Sequence, residues 1–363
     1  MSYRRTEART AYIEWAKLHA SAKYNLAASG VKGVPLNELP VKWEEMELSA
    51  AGNYGYAPLL ERLAARYGVA TKNVVTAIGT SMANYLAMSA VLEPGDEVVI
   101  EDPAYDPMVE VGHYLGPVVK RIPRRPENKF QIAVDELKKI VSRKTRLIVL
   151  TNLHNPSGVL LEEAALREIG EVARSVGARV MVDEVYLELL FDRPFRSACQ
   201  LGETFLVTSS LTKAYGLSGL RCGWIVAAPE LAERMWHQND LFGNIPSHIT
   251  DQLSVIALDQ LETIRARAKD LLERNWKLLD AFLAEHPELG VVRPPGGTII
   301  FPHVPRGDGD AFCKHLREKY ETSAVPGSFF AMRDRIRLGI CNDTAEVEEG
   351  LSRVSRTLRE STG

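Results

Sequence analysis

The sequence predicts an α/β protein in which a mostly parallel sheet, covered on both sides, is followed by a smaller α+β unit. Three observations carry this. Short apolar runs rich in Val and Ile recur along the chain with helical stretches between them. Those runs are apolar throughout and do not alternate with polar residues, as in strands buried on both faces. Past about Pro246 this alternation gives way to one long helical run and a few dispersed strands.

Taken in order, an amphipathic start leads to Leu59–Tyr67, which carries helical spacing and stops at Gly68. Val74–Ile78 reads as a strand, and Ser81–Leu92 as a helix closed by Pro94-Gly95. Strands follow at Glu97–Ile100 and Val118–Ile122, then a helix from Val134 and a strand at Arg146–Leu150. Further strands are expected at Arg179–Val182, Thr204–Thr208 and Cys222–Ala227, with helices on both sides through right-handed crossovers. The run from Ile249 to Leu283, rich in Leu, Ala, Arg and Glu, reads as one helix. After it, Gly290–Val292, Thr298–Phe301 and Arg335–Ile340 read as strands before a terminal helix. The expected division is an N-terminal segment over 1–40 that contributes to the small domain and the substrate entrance, a large domain over 41–262 and a small domain over 263–363.

Composition removes several classes of function. The 363 residues are 45% apolar and 25% charged, and 44 basic against 47 acidic residues leave a net charge of −3. That is an ordinary globular balance with no basic field, so neither nucleic acid nor an anionic membrane is expected as a partner. The longest apolar stretch, Val180–Phe191, is interrupted by Asp183, Glu184 and Glu188, and the start, Met1–Glu7, is charged and lacks the apolar segment of a secretory signal. Cys199, Cys222, Cys313 and Cys341 have no metal-type spacing, so reduced thiols in a cytoplasmic protein and no metal site are expected. A phosphate loop of the Gly-x-x-x-x-Gly-Lys type, a Gly-x-Gly-x-x-Gly turn, a His-Glu-x-x-His pair and a Gly-x-Ser-x-Gly elbow are all missing.

What remains is a set of short polar motifs, most of them at the carboxyl end of a predicted strand, the edge at which open α/β sheets bind ligands. Gly79-Thr80-Ser81 leads from a strand into a helix, where free N–H groups and the helix dipole suit a phosphate, although an N-cap explains it equally. Ser209–Arg221 places Lys213 in a loop of hydroxyls, glycines and apolar residues, with no other charge before Arg221. A lysine there is either a solvated charge or a secluded amine that acts as a nucleophile toward aldehydes. Asn155-Pro156-Ser157-Gly158 is a turn, Asp183 and Glu184 close an apolar strand just before Tyr186, and Tyr105 follows another strand end. Arg337 lies within a strand of the second unit.

In this order the six motifs resemble the fold-type I pyridoxal-5′-phosphate (PLP) enzymes, specifically the class I/II aminotransferase family, from about Tyr54 to Arg337. The resemblance implies an aspartate aminotransferase-like large domain with a mostly parallel seven-stranded sheet. It implies that Lys213 holds the cofactor aldehyde as an imine, that Asp183 pairs with the pyridine nitrogen, and that Tyr186 and Asn155 bind the phenolic oxygen. Tyr105 would stack on the ring, and Gly79, Thr80, Ser81, Ser210 and Arg221 would form the phosphate cup. Tyr54 matches a tyrosine that reaches the phosphate of a neighbouring subunit, which implies a homodimer with shared sites. Arg337 matches the arginine that grips the substrate α-carboxylate, with Asn155 and the Gly30 backbone beside it. Leu59 departs from the pattern, since related sequences commonly carry glycine there.

The expected reaction is amino-group transfer between an amino acid and a 2-oxo acid. A carbon–sulfur β-lyase, or an oxidase or cyclase using the same cofactor, would need the same residues. A non-catalytic protein on this fold would be expected to lose Lys213 or Asp183 or to add a DNA-binding domain, and the chain does neither. His154 is expected to be structural, and Trp43, Trp224 and Trp236 to pack. Side-chain pocket residues are sought near Tyr24–Val34, Tyr54 and Leu241–Asn244.

Overall fold

The computed structural model describes residues 8–49, 53–305 and 307–362; the charged start, Met1–Glu7, lies outside them. The chain opens with helix α1 (Ala11–Leu18) and strand β1 (Tyr24–Asn25), then α2 (Ala57–Tyr67), which ends on Gly68 in the left-handed conformation. Strand and helix then alternate: β2 (Val74–Ile78), α3 (Gly79–Val91), β3 (Glu97–Asp102), α4 (Asp106–Leu115), β4 (Val118–Pro123), α5 (Val134–Ile140) and β5 (Thr145–Thr151). They continue with α6 (Glu163–Val176), β6 (Arg179–Asp183), β7 (Phe205–Ser210), β8 (Cys222–Val226) and α7 (Pro229–Asn239). The remainder comprises α8 (His248–Asp259), α9 (Leu261–Glu285), β9 (Ile299–Ile300), α10 (Gly309–Tyr320), β10 (Thr322–Ser323), β11 (Val325–Pro326), β12 (Ile336–Gly339) and α11 (Thr344–Thr362).

Seven strands form the central sheet in the order β2-β8-β7-β6-β5-β3-β4. All pairings are parallel except those of β8, which runs antiparallel to both β2 and β7. Because side chains alternate across a strand, Ile148 and Leu150 of β5 enter one core with α2, α6 and α9, while Leu147 and Val149 enter another with α3, α4 and α7. Both faces are covered, which is why the middles of β3, β5 and β6 are apolar on both sides.

The structure differs from the sequence reading in two places. The long helical run breaks at Gln260 into α8 and α9. Neither Gly nor Pro marks the break; Ala257 and Leu261 on its two sides are both buried, and α8 packs on α2 and β8 while α9 packs on α11. Gly290–Val292 forms no strand, since Pro294 and Pro295 follow immediately and cannot donate to a ladder.

Beyond α9, β12 pairs antiparallel with β11 and β9, and β1 pairs parallel with β10. The residues after β1 run on between β12 and the loop after β7: Gly339 N–H donates to Leu26 O at 2.7 Å, and Val31 N–H to Lys213 O at 2.9 Å. Among the described residues, no helix is long and apolar enough to cross a membrane.

Candidate active site

A cavity of about 260 Å³ opens at the carboxyl ends of β3, β5, β6 and β7, with the N-terminus of α3 on one side and α1 over it. Tyr105, Asn155, Asp183, Tyr186, Lys213, Arg221, Thr80 and Ser81 all line it. Eight positions read from five motifs thus meet in one place. A larger cavity, about 400 Å³, lies against α6, where the rim arginines Arg167 and Arg193 are already paired with Glu163 and Glu162.

Asp183 is the last residue of β6 and is 3% exposed. Its Oδ2 accepts from Asn84 Nδ2 at 3.0 Å and its Oδ1 from Val185 N–H at 3.0 Å. Burial pushes its pKa up to about 6, against those two hydrogen bonds and the nearby Lys213 charge. Asn84 is itself held by Thr208, whose hydroxyl donates to Asn84 Oδ1 at 2.5 Å. Such a carboxylate suits a cationic ring nitrogen placed against it.

Lys213 stands in the loop after β7, and no carboxylate among the described residues forms an ion pair with it. Its Nζ donates to Ser29 Oγ at 3.0 Å, and Tyr186 OH donates to the same oxygen at 3.0 Å. Ser29 in turn is fixed through its carbonyl by Thr298 Oγ1 at 2.8 Å. Gly30 lies beside this lysine: a Cβ there would come within 3.3 Å of Lys213 Cδ.

The start of α3 is shaped for an anion. Gly79 adopts φ +72°, its N–H donates to Arg221 O at 2.7 Å, and a Cβ there would run into the Arg221 guanidinium. Thr80 donates to Ser210 Oγ at 2.7 Å, which also accepts from Thr212 N–H. Unsatisfied helix N–H groups, hydroxyls and a guanidinium converge there, the donor set of a phosphate site.

Arg337 on β12 is buried and has no carboxylate partner among the described residues. Nη1 donates to Asn155 Oδ1 at 2.9 Å, and Nη2 donates to Tyr12 OH at 2.8 Å and Ala27 O at 3.0 Å. Tyr105, at the N-terminus of α4, meets Tyr12 edge-on with ring centroids 5.8 Å apart, and burial raises its phenol pKa.

His154 plays no part in the cavity. Its Nε2 faces Pro103 O at 2.9 Å, and a carbonyl only accepts, so the proton sits on Nε2 and Nδ1 accepts from Ser157. Burial holds its pKa well below 6.5, and the ring stays neutral.

Tyr54 is not brought to this cavity. It is half exposed, donates to Asp240 Oδ2 at 3.1 Å and packs on Trp236. Tyr12 and Asn84 escaped the sequence reading. Asn84 did leave a signal, a polar residue on an apolar helix face between Ala83 and Leu86; Tyr12 left none, since its contacts are made to residues far along the chain.

The residues fit PLP: an amine for its aldehyde, a buried carboxylate for its ring nitrogen and a donor-lined helix start for its phosphate. The comparisons with known proteins agree. The family model "Aminotransferase class I and II" matches residues 44–354. Capreomycidine synthase of Streptomyces vinaceus is 29% identical over 350 residues, covering 93% of this chain and 90% of that protein. The arginine–pyruvate transaminase of Pseudomonas aeruginosa is 28% identical, covering 89% and 87%. A PLP-dependent aminotransferase from Streptococcus suis superposes with a TM-score of 0.91 at 26% identity, covering 97% of this chain and 98% of its own. The PLP-dependent cyclase OrfR gives 0.89 at 26%, covering 99% of both chains. With its fold and most of its length matched, the chain belongs to the class I and II aminotransferases, which depend on pyridoxal 5′-phosphate.

Proposed function

We propose that the protein moves an amino group between an amino acid and a 2-oxo acid, with Lys213, Asp183 and Tyr186 as its catalytic residues. The observation that carries this reading is the meeting of Lys213, Asp183 and Arg337's partner Asn155 in one cavity with the start of α3. Gly79, Thr80, Ser81, Ser210 and Arg221 would hold the cofactor phosphate, Tyr105 its ring, Asp183 its nitrogen, and Tyr186 and Asn155 its phenolic oxygen. Once bound, PLP supplies an electron sink for the pair left when the substrate Cα–H bond breaks.

The protein's own groups do the rest. Asp183 keeps the ring nitrogen protonated, because opposite charges stabilise each other in a buried site. Lys213, freed as an amine, takes the Cα proton; a placed acid/base contributes roughly 10²–10⁴-fold. Ser29 orients it, accepting from Lys213 and Tyr186 alike. Arg337 grips the substrate carboxylate as a planar fork, beside Asn155 and the Gly30 backbone, and so decides which Cα bond is aligned for cleavage. We place a large domain over 41–262 and a small one over 263–363, with the 1–40 segment at the substrate entrance. We further propose a cytoplasmic homodimer in which the exposed Tyr54 reaches the partner's phosphate cup.

A panel of amino donors against a pool of 2-oxo acids, with products identified by mass, tests the reaction. New amino acid formed only when an acceptor is present supports transfer. Turnover without an acceptor would instead assign elimination or cyclisation, the second being the reaction type in the name of one similar structure.

A further inference from the structure

We infer that Tyr12 is a second ligand of the substrate carboxylate, acting beside Arg337; this rests on the role proposed above for Arg337. A guanidinium grips a carboxylate by two parallel bonds on one of two edges, Nε–H with Nη2–H or Nη1–H with Nη2–H, since Cδ blocks the third. Both edges need a hydrogen from Nη2. In the structure both Nη2 hydrogens are taken, by Tyr12 OH at 2.8 Å and Ala27 O at 3.0 Å, while the buried Nε has no partner.

One of the two acceptors must therefore give way when a carboxylate arrives. Ala27 O is main chain, in a stretch whose Ala27 and Ala28 N–H groups are both pinned on Asn25 Oδ1 at 2.9 and 3.2 Å. The Tyr12 hydroxyl sits at the end of a rotatable side chain, so it is the one that yields. Its own O–H proton has no acceptor among the described residues. Turning from acceptor of Arg337 to donor, the hydroxyl meets the incoming carboxylate oxygen. Burial alone would weaken this phenol as an acid, but the Arg337 and Lys213 charges hold its pKa below 10.0 and so strengthen it as a donor. The helix that carries it is fixed by Tyr12 N–H on Asp106 Oδ2 at 3.2 Å.

The test is a calorimetric titration of the cofactor-loaded protein with propionate, and with propionamide as the uncharged control. Tyr12→Phe keeps the ring and removes the hydroxyl. It is expected to weaken propionate binding by roughly tenfold or more, leave propionamide unchanged, and raise KM for amino acid with little change in kcat. Propionate affinity in Tyr12→Phe that is unchanged or tighter, with Arg337→Ala having lost it, would overturn the role of Tyr12 alone. Unaltered affinity in Arg337→Ala would overturn the reading of Arg337 itself. Should Tyr12→Phe melt early or fail to fold, Tyr12→Leu is read by the same criteria.

Discussion

Asp183 has an ionisation cost that depends on what faces it. Its ordinary pKa is 3.8, and burial lifts it to about 6 in the folded chain. Between those values the folded protein holds more protons than the unfolded one, so stability falls as pH rises through this window and stays lower above it. Two units correspond to about 3 kcal/mol. In the cofactor-free protein, Asp183→Asn is therefore expected to raise Tm at pH 8 and to leave it nearly unchanged at pH 4, as thermal scans would show. In the loaded enzyme the same substitution is expected to cut turnover by several orders of magnitude; near-normal rates would contradict the assignment. Most of this site was legible because Asp183, Tyr186, Asn155, Lys213 and Arg221 each carry turn or strand-end chemistry in their immediate neighbours. Tyr12 was not, because what it touches lies 325 positions away and leaves no local pattern, and Ser29, 184 positions from Lys213, was reached only as part of the Tyr24–Val34 stretch.

At the scale of elements, the entry into α3 depends on a residue without a side chain. Gly79→Ala would force a Cβ into the Arg221 guanidinium at a positive φ, so the substitution is expected to weaken cofactor affinity at least tenfold, measured by equilibrium dialysis. The ends of β3 and β4 are tied by a buried ion pair, Glu101 to Arg124 at 2.7 Å, with Glu101 also accepting from Thr151 N–H. Arg124→Met strands that carboxylate in the core and is expected to cost about 3–5 kcal/mol in urea unfolding. Adding Glu101→Leu should recover most of the loss, since the uncompensated charge is then gone. The central strands were readable from composition because double burial leaves an apolar run in each, with polar residues gathered at the ends. The turn at Gln260 was not, since helix propensity is unbroken across it, and Val291-Val292 carried a strand composition that the following prolines overrule.

For the whole molecule, an exposed Tyr54 near Leu241 and Phe242, which are 79% and 56% exposed, predicts association. Sedimentation equilibrium is expected to give twice 40.3 kDa, and Tyr54→Phe to weaken cofactor binding without disturbing that mass. The path of residues 12–31 has a different consequence. Tyr24 and Asn25 find their strand partners only at Thr322 and Ser323, Leu26 binds Gly339, and Tyr12 meets Arg337. On the ribosome residues 12–26 must therefore wait for residues 322–339, an interval of roughly fifteen to sixty seconds at ordinary elongation speeds. The central sheet can be assembled in the meantime, but the reaction chamber is finished only once β10 and β12 have emerged, so a nascent chain stays inactive until then.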